Sequence, residues 1–294
     1  MDIVKLMKID RRILFVFIFL SVLIPFFLKC NIPVGESPET EALFRYIDNL
    51  PEGSIILIST DYDMASRPEL YPMAKAIIRH AFMKGHKIVS ICLWPNGVGL
   101  AENSVTEVAA KLNEKRPEDK KLRHGKDYLI TGYRAGVAIV IMSIGDSFSR
   151  TFGTCASITE NIDGKKTTIP SISLDDHHRL PIMKNIKNYD SFKLTIPFAA
   201  GASVDAWIEF AGARYHQPVA LGVTAVSAPR YYPFFPNQIV GLVGGLKGAA
   251  EYENLIKNPD WATKGMDAQS AAHILIILFI IIGNIAYFIS IKKK

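Results

Sequence analysis

Cysteine is scarce in this chain of 294 residues, which contains only Cys30, Cys92 and Cys155. There is no Cys-x-x-Cys pair and no Cys/His spacing typical of zinc, which excludes the common zinc modules. Three thiols allow one disulfide at most, and whether Cys30 or Cys155 is disulfide-bonded or free stays open. Cys92 lies within an apolar run, where a thiol packs as a small hydrophobic side chain.

The sequence also lacks the motifs of two large enzyme classes. No Gly-x-Ser-x-Gly turn is present, so nothing points to a serine hydrolase of the α/β type. A P-loop needs Gly-Lys-Ser/Thr, but Leu246 precedes Lys247 and Gly248 follows it. We therefore expect no cofactor, with magnesium as an exception under one alternative given below.

Net positive charge is nearly absent from the middle of the chain, although the whole chain has a net charge of +6. Residues 1–12 and 292–294 hold seven basic and two acidic side chains and account for almost all of the excess. A nearly neutral middle argues against nucleic acid as a partner. Basic residues beside membrane spans stay on the cytoplasmic side, so the pattern predicts that both tails are cytoplasmic.

Long uncharged runs occur at 13–28 and 271–291, and His273 is the one residue in them that ionises near neutral pH. A membrane-spanning helix needs about 20 apolar residues, so both runs are predicted to be transmembrane helices in the cell membrane. Whether the first run is retained or cleaved as a signal peptide stays open, although no small-x-small cleavage site follows it. The lipid bilayer is then a predicted partner, and the main domain lies outside the cytoplasm.

Between the two runs, short β-branched apolar segments alternate with helical patterns. The predicted strands are 54–60, 86–94, 128–133, 191–199 and 218–227, and the predicted helices include 68–85, 100–115, 203–216 and 238–256. Such alternation predicts a parallel sheet with helices on both faces. We therefore expect a three-layer, Rossmann-like or flavodoxin-like α/β domain at 30–257.

Three further segments complete the predicted organisation. Residues 135–145 fit a helix or a strand, and we favour a helix because they directly follow a strand. Asp163-Gly164 lies between two Thr/Ile-bearing arms, which predicts a hairpin insertion at about 156–171. Residues 258–270 are expected to be a linker to the second membrane span.

The loops after the strands are the predicted binding site, because open parallel sheets bind ligands beyond the carboxyl ends of their strands. The side chains that we assign to this rim are Asp61, Asp63, Arg67, Trp94, Asn96, Tyr133, Arg134, Ser227 and Arg230. The alternative is that these residues form ordinary polar turns.

Asp61 and Asp63 are the candidate catalytic or metal-binding pair on the rim. Carboxylates at this spacing can share one Mg²⁺ or act in phosphoryl transfer. An apolar strand that ends in Asp-x-Asp resembles the first motif of haloacid-dehalogenase-like phosphatases, and also the metal motif of many glycosyltransferases. The phosphatase resemblance implies Asp61 as nucleophile and Asp63 as general acid/base, with Asp175-Asp176 as a late acidic pair. Alternatively, one of the first two aspartates caps the turn or pairs with Arg67.

Four glycines, Gly241, Gly244, Gly245 and Gly248, form the second candidate feature. If 238–256 is one helix, their i, i+4 spacing makes a glycine face that lets another backbone approach closely. That face would pack on the domain's own sheet or mediate a homo-oligomer or contact with another membrane protein. An aromatic loop at 231–236 precedes it and would contact the bilayer, a partner subunit or the sheet.

The sequence thus predicts a membrane-anchored extracytoplasmic α/β module for binding or assembly, with an unknown ligand or partner. The alternative is a Mg²⁺-dependent phosphohydrolase that uses Asp61 and Asp63.

Overall fold

A computed structural model describes residues 10–27, 35–162 and 165–292. The strands are β1 (Ile55–Asp61), β2 (Lys87–Cys92), β3 (Tyr128–Tyr133), β4 (Ile158–Ile162), β5 (Lys165–Ile169), β6 (Leu194–Ala199), β7 (Ala220–Val223) and β8 (Gly241–Gly244). Strands β4 and β5 form a separate antiparallel hairpin. The other six form one parallel sheet in the order β3-β2-β1-β6-β7-β8.

Helices cover the sheet on both sides. The α-helices of the described residues are α1 (Arg11–Phe27), α2 (Pro38–Asp48), α3 (Arg67–Met83), α4 (Val98–Asn113), α5 (Val137–Asp146), α6 (Phe148–Phe152), α7 (Ser203–Ala206), α8 (Ala228–Tyr231), α9 (Gly245–Leu255) and α10 (Trp261–Lys292), and α1 and most of α10 extend away from the sheet. Helix α7 continues directly into a π-helical segment, Trp207–Arg214.

The strand order places β1 and β6 side by side at the centre of the sheet. The chain builds outward from β1 through β2 to β3, then returns to β6 and builds outward on the other side. Rossmann folds share this order, and their ligand crevice lies where the direction reverses. All seven residues of β1 are buried, because a central parallel strand is covered on both faces.

Two hydrophobic cores lie on opposite faces of the sheet. On one face, Ile56 and Ile58 pack with residues of α2, α3, α4 and α9. On the other face, Leu57 packs with residues of α5, α6, α8 and the π-helical segment. Alternate residues of β1 therefore serve different layers, which is the expected consequence of the two-residue period of a strand.

The α/β parallel-sheet prediction is confirmed, and most predicted strands lie within one to three residues of the observed ones. Residues 135–145 are indeed helical, as α5. The hairpin insertion also forms, although its predicted turn, Asp163-Gly164, lies outside the described residues. Cys92 and Cys155 are buried free thiols, and Cys30 lies outside the described residues.

Two segments differ from their predictions. The single helix predicted at 238–256 is wrong: Gly241–Gly244 form β8, and α9 begins at Gly245. Backbone pairing with β7, with Ala220 opposite Gly241, determines this structure. The linker predicted at 258–270 is largely helical, because α10 begins at Trp261 and continues without a break.

In the described part of the chain, one helix is long and apolar enough to cross a membrane, over Trp261–Ile289. Helix α1 is apolar but has only 17 residues, so the transmembrane helix predicted at 13–28 is not supported by length. The two helices are in contact, and the rings of Phe17 and Phe279 meet edge to face with centroids 6.4 Å apart. Most of their apolar side chains are exposed.

Helix α10 runs along the domain toward the carboxyl edge of the sheet. Its first residues lie beside the C-terminal end of α9, where Glu253 accepts a hydrogen bond from the Asp260 backbone N–H (2.8 Å). Four residues after its start, Gly265 lies against Leu246 in the first turn of α9, with 3.1 Å between the ideal Cβ position and Leu246 Cδ2. That first turn directly follows β8 and therefore lies at the carboxyl edge of the sheet. From Gly265 to its end at Lys292, α10 extends about 40 Å beyond this edge.

Candidate functional site

Asp61, at the end of β1, points into the protein and not into the crevice. Its Oδ1 accepts hydrogen bonds from the Ser59 hydroxyl (2.7 Å) and the Leu93 N–H (3.0 Å). Its Oδ2 accepts from the Trp207 indole N–H (3.2 Å). The carboxyl group therefore links β1, the loop after β2 and the π-helical segment. Burial raises its pKa to about 6, and these three hydrogen bonds oppose that rise.

Asp63 belongs to its own turn and shares no hydrogen-bond partner with Asp61. Its Oδ1 accepts from the Ala65 N–H (3.0 Å), and its backbone carbonyl accepts from the Ser66 N–H (3.2 Å). These are the bonds of a capped turn that leads into α3. This arrangement matches the capping alternative and does not present two carboxylates to one ligand.

The other acidic pair lies in an exposed turn. Asp176 Oδ1 accepts a hydrogen bond from the backbone N–H of Arg179 (3.1 Å), and Asp175 is exposed. Among the described residues, no three His, Cys, Asp or Glu side chains are grouped in a way that could hold a metal ion. The geometry therefore gives no observation in favour of the phosphatase resemblance.

The remaining predicted rim residues all follow strands and lie at the carboxyl edge, but several are held within the protein. Arg230 pairs with Asp205 (2.7 Å), and Arg134 donates to the Phe152 carbonyl. The Ser227 hydroxyl donates to the Ala200 carbonyl (3.3 Å), which joins the loops after β7 and β6. The exposed members are Arg67, Trp94, Asn96, Tyr133, Arg134 and Arg230, of which the last two make the bonds just described.

The glycine-rich stretch is an internal junction and not a helix face. A Cβ at Gly241 would lie 2.6 Å from Leu43 Cβ, and one at Gly244 would lie 2.8 Å from Ala228 Cβ. Gly245 has a φ of +62°, and a Cβ there would lie 2.6 Å from Ala225 Cβ. The helix-packing face predicted for Gly241, Gly244, Gly245 and Gly248 does not exist, because Gly241 and Gly244 lie in β8 whereas Gly245 and Gly248 lie in α9.

The basic residue in that stretch has a structural partner. Lys247 pairs with the fully buried Glu251, whose carboxylate also accepts from the hydroxyl (2.9 Å) and backbone N–H (3.2 Å) of Ser37. Lys247 also reaches the Gly35 carbonyl (3.4 Å). These bonds hold the start of the domain against the first turns of α9.

A groove of about 350 Å³ runs along the outer face of α3. It follows α3 from Arg67, next to the carboxyl edge, to Arg79, which is about 18 Å further along the helix axis. The start of α10 and one residue of α4 supply the opposite walls. Its lining residues are Met64, Arg67, Pro68, Tyr71, Pro72, Lys75, Ala76, Arg79, Glu107, Glu253, Asp260 and Trp261.

Most charges in this groove are paired. Lys75 meets Glu107 (3.1 Å), and the buried Arg79 meets Asp260 (3.1 Å). Arg67 differs, since no acidic side chain among the described residues lies within 4.0 Å of its guanidinium. The Arg67 guanidinium carbon lies 5.1 Å from the centre of the Tyr71 ring instead. The end of the groove next to the carboxyl edge thus carries an arginine that makes no ion pair with the described residues.

Tyr71 lies between this arginine and Lys75, whose Nζ is 5.3 Å from the ring centre. Its hydroxyl, like that of Tyr62, is buried and makes no hydrogen bond of standard geometry among the described residues, although the Glu107 carboxylate is close enough to act as its acceptor. Burial and then the nearby Glu107 raise the pKa of Tyr71. Tyr71 is one of the residues that line the groove.

Glu253 fixes the start of α10. In addition to Asp260, its carboxylate accepts from the backbone N–H groups of Ala262 (3.0 Å) and Thr263 (2.9 Å) and from the Thr263 hydroxyl (2.7 Å). It thereby satisfies donors that a helix N-terminus leaves unpaired. Sequence reasoning missed the groove because it assigned this segment to a linker. The signal was Asp260, a favoured residue type directly before a helix.

Comparison of the chain with known protein families, with curated proteins and with solved structures found no match. The assignment of a function therefore depends on the geometry described above.

Proposed function

We propose that this protein is a membrane-anchored α/β binding module, and that its ligand occupies the groove along α3. The observation that carries this proposal is that the start of α10 lines the groove. The same helix that is apolar enough to cross a membrane also forms one wall of the groove, and Glu253 fixes its start.

The chemistry of the groove favours an anionic amphiphile. An anionic group such as a phosphate would bind the guanidinium of Arg67, because charge-assisted hydrogen bonds to arginine are strong. Apolar surface for a chain comes from Met64, Pro68 and Trp261. A phospholipid headgroup and a soluble alkyl phosphate share this chemistry.

We propose the same orientation in the membrane as the charge pattern indicates. The basic tails lie in the cytoplasm, α1 and α10 cross the bilayer together, and the α/β domain lies outside. In a chain that carries Cys30→Ser, a cysteine at the exposed Glu52, introduced as Glu52→Cys, would then react with a membrane-impermeant maleimide in intact cells. Reaction only after the cells are lysed would contradict this topology.

The binding proposal is tested with the full chain in nanodiscs that contain equal amounts of phosphatidic acid and phosphatidylcholine. Native mass spectrometry of the released protein counts the retained lipids. We expect preferential retention of phosphatidic acid by the wild type, and loss of that preference in Arg67→Gln. Arg150→Gln, which removes an exposed arginine on the opposite face of the sheet, is the matched control.

Two results would contradict the binding proposal. The first is a wild-type protein that retains both lipids equally. The second is an Arg67→Gln variant that keeps the preference. A further arm adds inorganic phosphate, and displacement of phosphatidic acid at comparable concentrations would identify a soluble phosphate as the ligand in place of an amphiphile.

The magnesium-dependent phosphohydrolase is not proposed. Asp61 is buried with both carboxylate oxygens hydrogen-bonded, and Asp63 caps its own turn. A homo-oligomer is not proposed either, because the glycines expected to mediate it contact their own domain.

A further inference from the structure

Exposed apolar side chains of the α/β domain are concentrated at one edge. In the part of the chain that the structure describes, seven large apolar side chains outside α1 and α10 are more than a third exposed. Six of them follow strands at the carboxyl edge: Met64, Trp94, Tyr133, Ile139, Val226 and Tyr232. The seventh, Met83, lies at the opposite end of α3. We call the six residues the apolar edge.

The apolar edge extends across the whole sheet. Tyr133 and Ile139 follow the outer strand β3, whereas Val226 and Tyr232 follow β7 near the other outer strand. Six strands span about 24 Å at the usual spacing. A set of apolar side chains this wide fits a broad, flat partner better than a small ligand, and large exposed apolar patches mark interaction surfaces.

Both apolar helices leave the domain on this same side. Helix α10 passes the level of the first turn of α9 at Gly265 and continues outward for its whole apolar part. Gly35 lies just before α2, and its carbonyl accepts a hydrogen bond from Lys247 in the first turn of α9. Helix α1, which packs against α10 at Phe17 and Phe279, lies on the same side.

We infer that the apolar edge contacts the surface of the lipid bilayer in which α1 and α10 are embedded. Tryptophan, tyrosine and aliphatic side chains favour the boundary between headgroups and acyl chains. Trp94, Tyr133 and Tyr232 lie there with the aliphatic Val226 and Ile139. The Arg67 end of the groove then opens toward the headgroups. This inference rests on the proposed membrane anchoring and adds a specific surface to it.

Two native methionines provide the test without any substitution. Met64 and Met83 lie at the two ends of α3 and have similar exposure, 60% and 53%. The full chain is placed in nanodiscs at one copy per disc, and hydroxyl radicals are generated in the aqueous phase. Mass spectrometry then measures the oxidation rate of each methionine, and the chain unfolded in urea supplies the intrinsic rates.

For each methionine, the oxidation rate in the discs is divided by its rate in urea. We expect this ratio to be several-fold lower for Met64 than for Met83. Equal relative rates would overturn the inference. A disc with one copy contains no second chain, so protection of Met64 in such a disc cannot come from another copy. Protection of Met64 seen only in discs with two copies would therefore also overturn the inference. Failure of the protein to incorporate into discs would instead contradict the membrane anchoring itself, so the two failures are distinguishable.

Discussion

Glu253 and Thr263 join the folded domain to the long apolar helix, since the Glu253 carboxylate accepts from both the backbone N–H and the hydroxyl of Thr263. Removal of a carboxylate that caps a helix leaves buried N–H donors unsatisfied. We predict that Glu253→Ala lowers the free energy of unfolding of the domain by about 2–4 kcal/mol. Chemical denaturation in a mild detergent measures the change. Glu114→Ala, at an exposed glutamate, should change stability by less than about 0.5 kcal/mol, and equal effects of the two variants would refute the capping role.

Arg79 and Asp260 provide a second connection between α3 and the start of α10. The Arg79 side chain is only 3% exposed, so loss of its partner leaves a buried charge uncompensated. A double-mutant cycle with Arg79→Ala and Asp260→Ala should give a coupling energy of about 1–3 kcal/mol. The exposed pair Arg45–Glu41 is the control, with an expected coupling below about 1 kcal/mol. A coupling for Arg79–Asp260 no larger than the control would contradict this account.

Asp61 should make stability depend on pH. Its pKa in the folded protein is raised from 3.8 to about 6, so the folded state binds more protons than the unfolded state between these values. Stability from this group is therefore present below about pH 4 and falls as the pH rises through 6, by about 3 kcal/mol in total. Asp61→Asn should remove this decrease from the dependence of the unfolding free energy on pH. Unfolding measurements from pH 4 to pH 7 test this, and an unchanged slope in the variant would show that Asp61 titrates normally.

Gly245 is predicted to be essential for the fold and irrelevant to oligomeric state. Its φ of +62° and its contact with Ala225 mean that Gly245→Ala should cost about 2–4 kcal/mol, from backbone strain and a steric clash. Gly99 in α4 has open space around it, so Gly99→Ala should be neutral or stabilise by up to about 1 kcal/mol. Native mass spectrometry should show the same oligomeric state for both variants and the wild type. A change of that state in Gly245→Ala would restore the assembly hypothesis.

Much of the sheet could be predicted from the sequence because its central strands are continuous β-branched runs. Strand β1, predicted at 54–60, lies at Ile55–Asp61 in the centre of the sheet. Strand β8 was missed because Gly241–Gly244 has little strand propensity of its own, and pairing with β7 determines its structure. Glycine spacing in the sequence fitted a helix equally well. Only tertiary contacts, such as that of Gly241 with Leu43, distinguish the two.

The candidate site was predictable only in part. The rule for open sheets selects the loops after the strands, and Arg67 and Trp94 are exposed there. The same rule could not indicate that Asp61 turns inward, because that depends on Trp207, a residue distant in sequence. The groove was not predictable while 258–270 was assigned to a linker, because α10 supplies one of its walls.

The most direct test of the central claim measures how deeply the apolar edge lies in the bilayer. One nitroxide is attached at Val226→Cys, where the native side chain is 91% exposed, and another at Glu52→Cys, at the opposite edge of the sheet. Cys30 is replaced by serine in both variants. Electron paramagnetic resonance in nanodiscs measures collisions with oxygen, which concentrates in lipid, and with a water-soluble nickel complex. The account predicts that oxygen dominates at position 226 and the nickel complex at position 52. Equal, water-like accessibility at both positions would contradict it.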